Sequence, residues 1–237
     1  MSEVIVRLNK FISSSGICSR RKADELILEG KISVNNITVK KLGYKVNIGS
    51  DVVKYNGKVL QHQNKYVYIL FNKPFNCITT SKDPQRRKTI FSYLPKHITN
   101  TYRLFYVGRL DRNTTGLILL TNDGMLARNL SHPSSCVEKK YSLLLDRELN
   151  YSDIVKIQNG VILKDGLCKI DAIKQNNNNK RCIFVSLHSG KNRILRRLFQ
   201  FLGYKIINLD RYSYANLTKG DLKLGEYKIL QREDIYI

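Results

Sequence analysis

The string Gly108-Arg109-Leu110-Asp111-Arg112-Asn113-Thr114-Thr115-Gly116-Leu117 leads a charged loop straight into an apolar run, residues 117–120, which ends on Thr121-Asn122-Asp123-Gly124. A short apolar run bounded by turn signals reads as a buried strand. The loop ahead of it must then leave the core at a fixed place, so Asp111 is held at the margin of a packed sheet. A lone aspartate before a strand is ordinarily a solvated turn residue. The weight of Asp111 depends on what other segments bring to it.

From residue 66 onward the chain reads as short strands with helices between them. Residues 66–71 form a strand closed by Asn72-Lys73-Pro74, because proline cannot donate to a ladder. Residues 117–121 and 141–145 are strands on either side of a helix near 125–130. Residues 182–188 alternate as another strand, with the asparagine run at 176–179 as the loop tip before it. A helix over 192–202 ends at Gly203; Ile194, Leu195, Leu198, Phe201 and Leu202 make its apolar face, and Arg193, Arg196 and Arg197 lie opposite. Strands outnumber helices, so the expected class is α+β with a mixed, largely antiparallel sheet.

The segment before residue 66 has a different grain. Arg7-Leu8-Asn9-Lys10-Phe11-Ile12 reads as a short helix that ends at Gly16, and Ser19 caps a second helix that begins Arg20-Arg21-Lys22. Ala23, Leu26 and Ile27 form its buried stripe, and Gly30 closes it in the left-handed conformation. Two short strands follow around an Asn35-Asn36 turn. Residues 1–65 hold twelve Lys or Arg against five Asp or Glu. Cations in the first turn of a helix are mildly unfavourable for its dipole, so a phosphate partner explains Arg20, Arg21 and Lys22 better than helix stability does. Polar residues 61–65 mark the boundary, giving domains at 1–65 and 66–237.

Charge points the same way over the whole chain. Of 237 residues 41 are Lys or Arg and 19 are Asp or Glu, a formal net charge of +22. That balance favours a polyanion, since neutralising phosphates releases counterions. Part of the lysine excess reflects a general richness in Lys, Asn and Ile, so arginine placement is the better witness. The five cysteines are dispersed without a Cys-x-x-Cys pair, which fits free thiols in a reducing compartment and no metal site. The apolar runs are too short to span a membrane. Residues 1–10 have no apolar signal core, so the expected location is the cytoplasm.

Taken with these motifs, the chain resembles the RsuA and RluB type of ribosomal RNA pseudouridine synthase. The leading unit, roughly 7–65, resembles an S4-type RNA-binding domain. The resemblance implies that Asp111, in Gly-Arg-Leu-Asp, is the catalytic nucleophile, attacking either ribose C1′ or uracil C6. Val137-Glu138-Lys139-Lys140-Tyr141 matches the family's Lys-x-Tyr, which puts Tyr141 against the target uracil and Lys139 beside it. The segment Ser189 to Phe199 matches the family string that brings an arginine to the nucleophile, here Arg196. A carboxylate in a closed site needs such a cation to stay ionised. The usual Gln or Glu after the first arginine of that string is Ile194 here, so no polar role falls to that position. Leu209-Asp210-Arg211-Tyr212 and Leu222-Lys223-Leu224-Gly225-Glu226-Tyr227 resemble the family's closing strands, with Leu209 and Tyr212 lining the site floor or packing under it.

The expected RNA contacts are Arg109, Arg7, Lys10, Ser19, Arg20, Arg21, Lys22, Lys31, Lys139, Arg193 and Arg197. Arg109 would fill the stack left by a flipped uridine or hold its flanking phosphate. Lys73, Arg86, Arg87 and Lys88 are further backbone candidates. The resemblance implies no cofactor and no metal, a ribosomal RNA or subunit precursor as partner, no membrane, and a monomer. Asp83-Pro84 with Lys88-Thr89-Ile90-Phe91 resembles the large-subunit, RluB-like branch of that family. Two other readings stay open: a noncatalytic ribosome-assembly factor, and a synthase acting on small-subunit or transfer RNA. A pure binding module has no need for Asp111, Tyr141 and Arg196 together.

Overall fold

The computed structural model describes residues 4–61 and 65–236. The chain divides into two compact units, the first running to Tyr66 and including Thr101–Arg103, the second made of Val67–Asn100 and Leu104–Ile237. The break thus falls between Tyr66 and Val67, at the end of the polar stretch whose residues 62–64 lie outside the described residues. The return of three residues to the first unit has no compositional mark.

In the first unit β1 (Ile5–Arg7) leads into α1 (Leu8–Ser14), and α2 (Arg20–Leu28) follows. The Ser19 side chain accepts from the Lys22 N–H at the start of α2, as its sequence position requires. Strands β2 (Ile32–Val34) and β3 (Ile37–Thr38) are joined by Asn35 and Asn36, both at positive φ, which is the turn that suits the twist of a two-residue hairpin. β4 (Lys45–Asn47) pairs with β1, while β5 (Val53–Tyr55) and β6 (Lys58–Val59) extend the other small sheet, in the order β3-β2-β5-β6. Leu8, Phe11 and Ile12 of α1 meet Ala23, Leu26 and Ile27 of α2 over Ile32, Val34 and Val53. The polar faces of both helices are left outward, and Arg7, Lys10, Arg20, Arg21, Lys22 and Lys31 are all exposed.

The second unit is built on one mixed sheet. Its chain order is β7 (Tyr68–Lys73), α3 (Lys96–Thr101), β8 (Phe105–Val107), β9 (Thr115–Thr121), α4 (Gly124–Ser131), β10 (Lys139–Leu145) and α5 (Tyr151–Asn159). Then come the hairpin β11 (Val161–Leu163) and β12 (Gly166–Cys168), β13 (Ala172–Gln175), β14 (Cys182–Leu187), α6 (Ile194–Phe201), β15 (Ile206–Tyr214), β16 (Leu217–Thr218) and β17 (Tyr227–Leu230). The main path is β13-β14-β10-β15-β9-β7-β17, with β8 on β9 and β16 on β15. All of these pairs are antiparallel except β15 with β9, which meet in parallel over only Asp210↔Thr115 and Arg211↔Gly116. The α+β class with a mixed, largely antiparallel sheet is therefore the observed one.

Every residue of β7 and β9 is buried, as expected of central strands covered on both faces. Leu117 and Leu119 pack with Leu126 and Leu130 of α4. At the other half of the sheet Leu143, Ile183, Val185 and Leu187 pack with Leu195, Leu198 and Phe199 of α6. That last contact corrects the expected face of α6: Phe199 is buried, whereas Phe201 is 64% exposed. The helix also starts two residues later than its spacing suggests, because Arg193 takes a left-handed φ of 49° and cannot be its first turn.

Candidate active site

The Asp111 loop is held from three sides through its backbone. The Thr79 hydroxyl donates to the Leu110 carbonyl at 2.9 Å and accepts from the Leu110 N–H at 3.3 Å. The Lys73 amine donates to the Arg112 carbonyl at 3.2 Å, and the Arg196 guanidinium donates to the Asn113 carbonyl at 2.9 Å. A tight turn closes the loop, with the Thr114 N–H on the Asp111 carbonyl. Residues on both sides of Asp111 are thereby fixed while its carboxylate stays free to react. Such a loop needs little rearrangement to present that carboxylate.

The carboxylate faces two guanidinium groups. Asp111 Oδ2 lies 3.9 Å from Arg193 Nε and 3.8 Å from Arg196 Nε. These are ion pairs without hydrogen bonds, so both carboxylate oxygens keep lone pairs for a ligand. Arg196 is the more enclosed of the two, and burial pushes its guanidinium below the usual value while Asp111 opposes that shift. The left-handed backbone of Arg193 turns this residue toward Asp111 at the start of α6.

An open cleft of about 730 Å³ surrounds this pair, within the range of small-ligand pockets. Its wall includes Arg109, Lys139, Lys191, Arg193, Arg196 and Arg211 as cations, with Asp111 as the one carboxylate among the described residues. Tyr141, Tyr214 and Leu209 supply its apolar surface. Asp111, Tyr141 and Arg196, drawn from three distant segments of the sequence, thus line one cleft. Among the described residues no cluster of three or more His, Cys, Asp or Glu side chains is placed to hold a metal ion.

Other candidates have different settings. Lys139 donates to the Val137 and His188 carbonyls at 2.7 and 2.9 Å, joining the strand to the loop after β14. Arg197 makes a two-pronged contact with Asp165, at 2.6 and 2.9 Å, and ties α6 to the β11–β12 turn. Arg109 is exposed at the cleft, and in the first unit Lys22 and Lys31 form exposed pairs with Glu25 and Glu29. Arg87 is paired with Asp83, whereas Arg86 and Lys88 are exposed. Lys73 is not an exposed backbone contact at all. It is fully buried in β7, where desolvation brings its amine down to about 8, with Cys77 and Asp111 acting in the opposite direction. Tyr212 does not line the cleft but packs edge-on against Phe184, with ring centres 6.1 Å apart.

Two residues of the site carry no assignment from the sequence. Gly116 has φ +109°, and a Cβ there would meet the Arg211 nitrogen at 2.5 Å, its carbonyl carbon at 2.7 Å and its oxygen closer still. Glycine is what lets β9 and β15 run side by side at this point. Arg211, 2% exposed, donates Nε to the Leu117 carbonyl at 2.8 Å and stacks 4.6 Å above the Tyr214 ring. Leu209 and Arg211 share one side of β15, and the bulge opposite Lys140 and Tyr141 brings Tyr214 rather than Ser213 to that side.

Residues 67–201 match the RNA pseudouridylate synthase family, and residues 6–53 match the S4 domain. An uncharacterized RNA pseudouridine synthase of Aquifex aeolicus (strain VF5) is 37% identical, over 97% of this chain and 92% of the relative. The ribosomal large subunit pseudouridine synthase B of Bacillus subtilis (strain 168) is 36% identical, over 97% of this chain and 93% of that protein. A crystal structure of a pseudouridylate synthase overlays with a TM-score of 0.68 at 25% identity, covering 97% of both chains. The chain belongs to the RNA pseudouridine synthase family. It is an RNA-modifying enzyme that isomerises uridine, with an S4 RNA-binding domain ahead of its synthase domain. Among the described residues no helix is long and apolar enough to cross a membrane.

Proposed function

We propose that this enzyme converts a uridine of large-subunit ribosomal RNA to pseudouridine, with Asp111 as the nucleophile. The observation that carries the reading is a carboxylate fixed by its flanking backbone and faced by Arg193 and Arg196 within one cation-lined cleft. The choice of RNA is supported by the likeness to the Bacillus subtilis large-subunit enzyme over nearly the whole chain. In the reaction the N1–C1′ bond breaks, a C5–C1′ bond forms, and the C5 proton is lost while N1 gains one, so the product is an isomer. Asp111 attacks C1′ or C6. Arg196 pairs with the carboxylate and positions it, and Tyr141 packs on the base, where its hydroxyl is available to move the C5 proton. Arg109 and Arg193 hold phosphates or the vacated stack at the mouth. The exposed cations of the S4 domain bind neighbouring RNA, and the enzyme acts as a cytoplasmic monomer on ribosomal RNA or a subunit precursor.

The test is a pseudouridine map of ribosomal RNA from cells without the gene, complemented by the wild type or by Asp111→Asn. The wild type should restore one site in large-subunit RNA and Asp111→Asn none. Restoration by Asp111→Asn would remove the nucleophile assignment. A restored site in small-subunit or transfer RNA would move the substrate instead.

A further inference from the structure

One transverse row of the sheet passes directly beneath the reacting groups. Strand register aligns Lys73 with Gly116, Gly116 with Arg211, Arg211 with Tyr141, and Tyr141 with Val185. Paired residues of adjacent strands present their side chains to the same face. Arg211 and Tyr141 are therefore neighbours in the cleft floor, and both line the cavity that holds Asp111.

Arg211 is unusual among the cations of the molecule. Its Nε is satisfied by Leu117, its flat face rests on Tyr214, and Nη2 is buried with no hydrogen-bond partner. Buried polar groups are almost always paired. A charged donor left unmet has lost its hydration with nothing in return, which is costly. A guanidinium kept only for structure would find a carbonyl or carboxylate for that nitrogen. Here the described neighbours leave it covered but unmet, in a side chain that lines the cleft and is held at Nε.

The chemistry of the base says what that donor can do. When the N1–C1′ bond breaks, its electron pair leaves with the uracil and spreads onto the O2 and O4 carbonyl oxygens. Attack at C6 likewise drives an electron pair through C5 onto O4. Either route makes the base anionic for part of the reaction, and a preorganised donor aimed at that charge lowers the barrier more than it tightens binding. We propose that Arg211 is a catalytic residue that takes up this charge, its guanidinium donating from the cleft floor to a carbonyl oxygen of the target uracil. The site then divides its labour between Asp111 at the mouth and a buried cation under the base. This inference rests on the ribosomal RNA reading above for its substrate.

The experiment compares single-turnover loss of N-glycosidic nucleoside from full-length large- and small-subunit ribosomal RNA transcripts made with uridine or with 5-fluorouridine. Fluorine stabilises the base anion, so it lessens the need for a cation. Arg211→Gln should slow the uridine transcript about a hundredfold, the loss typical of removing one such donor. On the 5-fluorouridine transcript its loss should be several times smaller, and its RNA affinity should stay within about twofold of wild type. Arg211→Lys, which keeps a charge but not the fork, should show the same pattern with a smaller loss, and it carries the test if Arg211→Gln does not fold. Equal losses on the two transcripts, or a change in affinity alone, would make Arg211 structural and overturn the inference. A wild type without turnover on either subunit's transcript would overturn the ribosomal RNA reading and this inference with it.

Discussion

The exposed arginines of the S4 domain and the bonded arginines of the synthase domain have opposite settings. Arg20 and Arg21 sit exposed in the first turn of α2, and the ion pairs of that helix and the turn after it, among the described residues, belong to Lys22 and Lys31. Arg196, Arg197 and Arg211 each have an assigned partner: the Asn113 carbonyl, the Asp165 carboxylate and the Leu117 carbonyl. Exposed cations attract a phosphate backbone additively and with a strong dependence on salt. Buried and bonded cations contribute position instead. The difference predicts that changes in the first set alter affinity, while changes in the second alter chemistry or folding.

The sharpest way to break this division is to disturb the synthase row without touching a charge. Gly116→Ala places a methyl group against the Arg211 backbone and forces an L residue into φ +109°. Overpacking and backbone strain at one position should together cost about 3 kcal/mol or more. Denaturant unfolding should show that loss, and turnover should fall with it because the parallel pairing of β9 with β15 would be pushed apart. A variant as stable and active as wild type would mean that the row does not position the site.

Lys73 gives a smaller and pH-dependent effect. Its amine titrates at about 8 in the folded protein against an ordinary 10.5, because burial disfavours the charged form. The unfolded chain therefore binds more protons between those values, and the lysine's contribution to stability rises with pH across that window. Below pH 8 the cost is constant; above 10.5 it is gone. The stability of wild type relative to Lys73→Met should thus improve by at most about 3 kcal/mol between pH 7 and 10.5. A difference that stays flat would show that Lys73 is not held charged in an apolar setting.

Much of this division was readable before the structure. Ser19, the Asn35-Asn36 turn and Gly30 act locally, so their residue types determine what they do. The buried strand after Asp111 and the α+β class followed from runs and spacing. The face of α6 was partly misread, since a helical wheel places Phe201 inward but not the left-handed start at Arg193 or the sheet that takes up Phe199. Lys73 looked like an exposed cation because nothing in its neighbours shows that β7 is an inner strand, flanked by β9 and β17 and covered on both faces. Gly116 and Arg211 are linked by 95 positions of chain and by a two-residue parallel pairing. Contacts of that kind leave no mark in local pattern, and they are where the site is made.

The S4 side of the comparison is tested by the smallest effects. Arg20→Gln and Arg21→Gln should each lower the slope of log affinity against log salt by about 0.7–0.9, the release of one counterion. RNA affinity at moderate salt should weaken severalfold, and the single-turnover rate at saturating enzyme should not move. Fold stability should stay within about 0.5 kcal/mol or rise slightly, because both side chains are exposed and a cation in the first turn opposes the helix dipole. A change in the saturated rate would mean that these arginines help to place the target uridine. The separation between attraction in one domain and position in the other would then fail.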